Sequence, residues 1–382
     1  MESKNQSERE TNQIQGNPPS QNLSYKESGV DISKEEMSLG NFIKKYMAKT
    51  SQFIQHGPGE VLSSIGYFAN IIRITDTLGL AVSADGVGTK VLIAQMMNKY
   101  DTVGIDCIAM NVNDIICVGA KPISFLDYIA LQDPKDDLLD QLGQGLLEGA
   151  RQAGVTIPGG ETAQVRDLIQ GVRPGYGFDI AGMGIGTIDP GQVIEGSDLT
   201  EGDIIVGLAS SGLHSNGYSL ARRIFFEKGD FRVDNCFAEL DKTLGEVLLA
   251  PTIIYVPIVN ELLAQNLRIK ALINITGDGL LNLLRVKADV KFTITALPEP
   301  PPIFPLMQQI GRISDDEMFR TFNMGVGFCV LVHPDDFDSV KAICNRFGIA
   351  CSQIGFVEKS PEKIVDLVQK KLRGVGRSFY KV

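Results

Sequence analysis

The sequence predicts a mixed α/β (α+β) fold in two domains. Short apolar runs rich in β-branched residues and ending in glycine alternate with stretches of helical periodicity, which is the pattern of strands and helices sharing one core. The chain is 382 residues long, room for about two domains of ordinary size. A polar, turn-rich stretch, "DPGQVIEGSDLTEGD", divides it near the middle.

The elements follow in order. Residues 1–23 are rich in Asn, Gln, Ser and Glu and poor in apolar side chains, so a disordered tail is expected there. "GNFIKKYMAKT" has helical spacing of Phe42, Ile43, Tyr46 and Met47. "GLAVSADG" reads as a strand entering a turn, and "TKVLIAQMMNKY" as the helix after it. "IDCIAMNVNDIICVGA" is a long apolar helix, "PISFLDYIAL" a strand, and "DDLLDQLGQGLLEGARQAG" an amphipathic helix. "TIPGGETA" and "GFDIAGMGIGTID" are glycine-rich strands that close a first domain, residues 24–190.

A second domain, residues 191–382, opens with the buried strand "DIIVGLASSG" and the helix "GYSLARRIFFEK". Pro251 is placed to start the helix "PTIIYVPIVNELLAQN", with Pro257 expected to bend it. "IKALINITGDG" is a strand entering a glycine turn, followed by a helix, "LLNLLRV". "LPEPPPIFP" is a connection. "GFCVLVHP", "DDFDSVKAICNRFG" and "CSQIGFVEK" read as strand, helix and strand. "EKIVDLVQKKLRG" fits helix and strand equally well.

Composition narrows the function classes. Hydrophobic residues are 43% and charged residues 21%, a globular balance. The net charge of −10 argues against a nucleic-acid or acidic-membrane binder, which needs a basic face. No apolar run reaches the ~18 residues of a membrane span, and the first residues lack a secretory signal pattern. Six cysteines without a CxxC pair, and three histidines, argue against structural zinc and fit a reducing cytoplasm.

The chemistry concentrates in glycine-flanked loops. "SADGVGTK" looks like a P-loop, but Thr89 precedes Lys90 and Val91 follows it, so the pattern GxxxxGK[ST] fails. "MNVND" sets Asn111, Asn113 and Asp114 inside an apolar helix, where such residues are unfavourable. "GGETA" puts Glu161 behind Gly159 and Gly160. "SSGLHSNG" surrounds His214 with small residues, and "NITGDG" ends a strand in glycines. Five such loops indicate one phosphate-handling site. Carboxylates in apolar surroundings cost several kcal/mol unless paired or metal-bound, so Asp85, Asp114 and Glu161 together fit a hard cation such as Mg²⁺. Each alone is equally explained by a helix cap or a turn.

These residues also carry a resemblance. "YKESGVDI", "DGVGTK", "YDTVGIDCIAMNVNDIICVGAKPISFLDYIA", "GGETA", "SSGLHSNGYSLARRI", "LLAPTIIYV" and "DEMFRTFNMGVGF" resemble, in order, the phosphoribosylformylglycinamidine cyclo-ligase (aminoimidazole ribonucleotide synthetase) family. The resemblance implies a two-domain fold whose N-terminal domains pair into a central β-barrel in a homodimer. It implies ATP- and Mg²⁺-dependent closure of an imidazole ring, on formylglycinamidine ribonucleotide, in cytoplasmic purine biosynthesis. By matching motif positions, Asp85, Asp114 and Glu161 are expected at the metal. Tyr25, Gly86, Gly88, Thr89, Lys90, Asn113, Gly159, Gly160, Asn216 and Thr276 are expected around the nucleotide. Lys26 and His214 are expected at the chemistry. Another ATP-using member of the superfamily, a kinase or dehydratase, and a non-catalytic paralogue are the alternatives. The chain departs from the family pattern at Asn274, where a histidine often stands, and at Asp278, amid the turn glycines.

Overall fold

A computed structural model describes residues 32–382 apart from Ser64 and Asn266. The expected tail, Tyr25 and Lys26 lie outside the described residues.

Helix α1 (Ile32–Lys45) runs into a 3₁₀ turn, Met47–Phe53. A five-stranded sheet follows, built from β1 (Asn70–Arg73), β2 (Gly79–Gly86), β3 (Lys121–Leu131), β4 (Thr156–Gln164) and β5 (Phe178–Ile188) in the order β1-β2-β5-β3-β4. All neighbours are antiparallel except β3 and β4. That parallel pair needs a crossover, supplied by the 18-residue amphipathic helix Asp136–Ala153. The helices of this half are α2 (Lys90–Met97), α3 (Val103–Cys117) and α4 (Asp136–Ala153). Asp136 and Asp137 in the first turn of α4, Arg151 in its last, and a left-handed Gly154 after it mark both ends against the helix dipole.

Helix α3 is apolar on all sides because it has neighbours on all sides. It packs on the sheet, on α4 and on elements of the second half. Where α3 crosses α4, Gly104 and Gly145 let the two backbones touch. A Cβ on Gly104 would overlap the backbone of Leu146, and one on Gly145 the carbonyl of Asp101.

The second half holds an eight-stranded sheet, with β6 (Ile204–Ala209), β7 (Ile269–Asn274), β8 (Val290–Ile294), β9 (Val326–Val332), β10 (Cys351–Lys359), β11 (Ile364–Leu367), β12 (Leu372–Val375) and β13 (Ser378–Lys381). Their order is β13-β12-β11-β8-β10-β6-β9-β7. Helices α5 (Tyr218–Arg222), α6 (Leu244–Leu248), α7 (Val256–Ala264), α8 (Ile303–Gly311), α9 (Asp315–Thr321) and α10 (Phe337–Arg346) surround it. One continuous apolar core runs from Phe68 to Phe379 and so joins both halves.

Several expectations are corrected here. Residues 251–255 form no helix. α7 starts at Val256 and carries Pro257 in its first turn, where the missing N–H costs nothing. The helix expected at 217–228 is a short α-helix followed by a π-turn, Arg223–Lys228. "LLNLLRV" is a 3₁₀ helix, Gly279–Arg285. The ambiguous tail resolves into strands. Strand β1 had no clear sequence signal, because its four residues are too short to show alternation.

Candidate active site

The loop after β2 brings "DGVGTK" to the junction of the two halves. Thr89 Oγ lies 3.3 Å from Ser219 Oγ at the start of α5, so this loop meets the second half directly. Gly88 takes φ +70° in open space beside it.

Lys90 turns inward from the first residue of α2. Its ammonium is fully buried and gives all its protons to protein: Asp106 Oδ1 at 2.9 Å, the His214 carbonyl at 3.0 Å and the Ala250 carbonyl at 2.7 Å. It also lies 5.6 Å from the Tyr218 ring centre. Burial pulls the ammonium pKa down, and Asp106 pushes it back. Asp106 accepts two further bonds, each 2.7 Å, from the backbone N–H and hydroxyl of Thr252. The Lys90 donors thus meet protein groups, not the open face of the glycine loop where a nucleotide is expected. The Lys90 side chain ties α2, α3 and the loops at 214 and 250–252 together.

His214 is likewise engaged by protein groups. It sits at φ +61°, buried, with Nε2 accepting the Ser211 N–H at 3.2 Å. Burial first, then the Lys90 charge, lowers its pKa to about 3. It is neutral near pH 7, and the bond to its acceptor nitrogen fixes its loop. Asn113 likewise serves the backbone, donating to the Ile253 carbonyl at 2.8 Å and accepting from the Tyr255 N–H at 3.0 Å. It pins the non-helical segment that had been expected as the start of a helix.

Asp85 and Asp114 differ from these. Asp85, at the end of β2, is open to solvent on one side while protein packs against the rest of its carboxyl, and Asp114 is half-buried near the end of α3. Asp114 Oδ1 accepts from Asn274 Nδ2 at 2.8 Å, so Asn274 fills the departure from the family pattern with a neutral donor. Burial raises both carboxyls. Asp114 is pushed up to about 7, with the Asp85 charge adding to the effect. Neither has a cationic partner as close as that of Asp106.

A third carboxylate, Asp127 on β3, was missed from sequence. Strand register aligns Asp85, Gly182, Asp127 and Gly160 in one row across β2, β5, β3 and β4. A Cβ on Gly160 would strike the Asp127 carboxylate, so this glycine leaves room for it. Burial raises Asp127 as well. The Cys107 thiol, raised by burial and then by Asp127, Asp106 and Asp85, lies among them. A charge in mid-strand without a local partner is the signal by which the sequence could have pointed to Asp127.

Glu161 stands apart from Asp85 within one chain. It pairs with Tyr128, one row on and so on the opposite sheet face. Two strands separate β4 from β2, which puts their backbones roughly 14 Å apart. Among the described residues, no three carboxylate, cysteine or histidine side chains converge as a metal cage. Mg²⁺ commonly takes one or two carboxylates and completes its shell with water and phosphate, which Asp85 and Asp114 fit.

The remaining loops close around this region. Asn216 Oδ1 lies 3.4 Å from where a side chain on Gly277 would begin, so the loops holding Asn216 and Thr276 meet. Asp278 is neutralised by Arg377, at 2.7 and 3.0 Å, and by Arg285 at 3.7 Å. Its charge in the glycine turn is thereby offset within the protein.

Residues 66–188 match the model of the N-terminal domain of AIR synthase related proteins, and residues 200–368 that of the C-terminal domain. The fold is shared with a thiamine-monophosphate kinase from Stenotrophomonas maltophilia K279a (TM-score 0.56, 18% identity, covering 84% of this chain and 94% of that one). It is shared also with E. coli HypE, a hydrogenase maturation protein (TM-score 0.55, 19% identity, 78% and 85% covered). Fold and matched domains thus define an AIR synthase-related protein.

Full-length relatives are more specific. The chain is 43% identical over 321 residues to the phosphoribosylformylglycinamidine cyclo-ligase of Methanothermobacter thermautotrophicus, covering 84% of this chain and 91% of that protein. It is 42% identical over 341 residues to the protein of that name from Methanocaldococcus jannaschii, with 89% and 93% covered. The chain belongs to the phosphoribosylformylglycinamidine cyclo-ligase family, ATP-dependent ligases of purine biosynthesis, and is an enzyme of that family.

Proposed function

We propose that this chain closes the imidazole ring of aminoimidazole ribonucleotide from formylglycinamidine ribonucleotide, using ATP. The formyl amide oxygen, a poor leaving group, takes the γ-phosphoryl group. The amidine nitrogen then attacks the activated carbon, and phosphate departs. Such a reaction needs positioning and charge control more than a covalent nucleophile.

The observation that carries the proposal is the Asp85–Asp114 pair. Two carboxyls held up by burial, with Asp114 at about 7, stand beside glycine loops. They would hold Mg²⁺, which when bound draws charge from the phosphate oxygens. Gly86, Gly88, Thr89, Gly159, Gly160, Asn216 and Thr276 are small or polar enough to let the nucleotide approach. Asp127 orients the substrate or a bound water from the facing strand. Glu161 serves from the other face of the sheet. Tyr25 and Lys26 remain proposed contacts on the strength of their motif.

The same reading includes a homodimer. Helix α3, with α4 packed on it, covers one face of the five-stranded sheet, whereas the other carries exposed Ile123, Tyr128 and Met183. Pairing two such faces would bury them in a barrel. No helix of the described residues is long and apolar enough to cross a membrane, and a cytoplasmic location goes with this reading.

The test is direct. Purified protein with ATP, Mg²⁺ and formylglycinamidine ribonucleotide should give ADP, phosphate and aminoimidazole ribonucleotide in equal amounts. Absence of the imidazole product, with ATP consumed on another acceptor, would overturn the proposal in favour of a kinase or dehydratase.

A further inference from the structure

Asn111 stands three residues before Asp114 on α3 and is fully buried. Its Nδ2 donates to the Cys107 carbonyl, four residues back in the helix, at 2.9 Å. The same nitrogen donates to the Asp85 carbonyl on β2 at 3.2 Å. Its Oδ1 is buried too, and has no hydrogen-bond partner among the described residues. A half-satisfied amide in an apolar core is less favourable than an apolar side chain of the same volume. Asparagine is also a poor residue for a helix interior. Helix propensity and core packing therefore do not account for Asn111. Strand β5 leaves room for it at Gly184, where an added Cβ would come within 3.2 Å of the Asn111 Cβ.

The work of the amide lies at the end of β2. Strand β1 pairs with β2 only as far as Val82. From Ser83 to Gly86, β2 has β5 alone beside it. Asp85 thus sits on a strand end that the sheet holds from one side, and the Asn111 bond adds a hold from α3. The Gly86 N–H donates to Asp85 Oδ1 at 2.7 Å, so the carboxyl is tied to the same stretch of backbone. Residues three apart on a helix are neighbours on its surface. The anchor of Asp85 and the carboxyl of Asp114 are therefore set side by side by one rigid helix.

We propose that Asn111 is a positioning residue: its amide fixes Asp85 against α3 and so sets the separation of the Asp85 and Asp114 carboxyls to suit Mg²⁺ over a larger cation. This inference rests on the reading of those two carboxyls as the magnesium site. Mg²⁺ demands near-ideal octahedral oxygens at about 2.1 Å, whereas Ca²⁺ accepts roughly six to eight oxygens at about 2.3–2.6 Å in flexible arrangements. Freeing Asp85 should therefore weaken Mg²⁺ binding more than Ca²⁺ binding. A residue that served the fold alone would move both together or neither.

The full chain is titrated by calorimetry with ATP in excess Mg²⁺ and, separately, in excess Ca²⁺. Asn111→Leu keeps the side-chain volume and removes the donor. Asn111→Ser keeps a bond to the Cys107 carbonyl within the helix but is too short to reach Asp85, and it decides the matter where the leucine variant does not fold. The expected result is a loss of about tenfold in affinity for Mg²⁺–ATP, the scale of a lost outer partner of a metal ligand. The Ca²⁺–ATP affinity should fall by less than about twofold. Equal losses with the two cations, or unchanged affinity for both in a folded variant, would overturn the positioning role. Asp114→Asn, run alongside, separates the two levels. If it weakens Mg²⁺–ATP binding and the Asn111 variants do not, the positioning role alone falls. If it binds Mg²⁺–ATP as wild type does, the two-carboxylate site falls and this inference with it.

Discussion

Helix α3 carries two aspartates with opposite fates. Asp106, in its first turn, is fully buried and fully answered: Lys90 and two groups of Thr252 surround it. Asp114 lies about 12 Å further along the same helix. It receives a neutral Asn274 and faces Asp85, so burial pushes it up to about 7. The first cluster is closed and holds the protein together. The second is left short of positive charge, which is the condition of a site that takes its cation from outside.

The closed cluster yields the largest expected effect. Lys90→Met leaves Asp106 buried without its counter-charge and should cost about 3–5 kcal/mol in denaturant unfolding. Adding Asp106→Leu should recover much of that loss. A double variant as unstable as the sum of the singles would show that the two side chains act independently.

His214 belongs to the closed region and gives a pH signature. Its folded pKa, about 3, lies below the ordinary 6.5, so its contribution is fully present above pH 6.5 and is lost as pH falls toward 3. The stability gap between wild type and His214→Gln should narrow by up to roughly 4 kcal/mol over that window. A gap that stays constant from pH 7 to 4 would mean the imidazole is not held neutral.

Asp114 should show the opposite sign in the metal-free protein. Its folded pKa lies above 3.8, so its contribution is greatest below pH 3.8 and falls as pH rises to about 7. Asp114→Asn should therefore gain on wild type by roughly 2–4 kcal/mol between pH 4 and 8, read from melting in the presence of EDTA. The smallest effect belongs to the turn. Arg377→Ala removes one of two arginines from Asp278 and should cost about 1 kcal/mol, followed by thermal melting.

Much of the fold was legible in the sequence, because strand and helix periods are local. The central strands and α3, α4 and α10 stand where their patterns put them. What failed locally was decided by distant partners. Residues 251–255 have helical composition, but Asp106 takes the Thr252 N–H and Asn113 the Tyr255 N–H, and the segment stays out of the helix. The site was legible in kind and less so in detail. Polar residues inside an apolar helix marked "MNVND" correctly as unusual. The sequence does not show whether such a residue meets a ligand or a remote backbone, and Asn113 meets the backbone. Lys90 and Glu161 teach the same lesson: the motif gives their type, and only the packed structure gives their direction.

The central contrast is tested by calorimetry of Mg²⁺–ATP binding to wild type and Asp114→Asn. The expected result is a loss of at least about tenfold in affinity with the fold intact by circular dichroism, since a hard cation loses one of its two protein carboxylates. Unchanged affinity in a folded variant would contradict the account, because Asp114 would then be buried and raised for no cation at all.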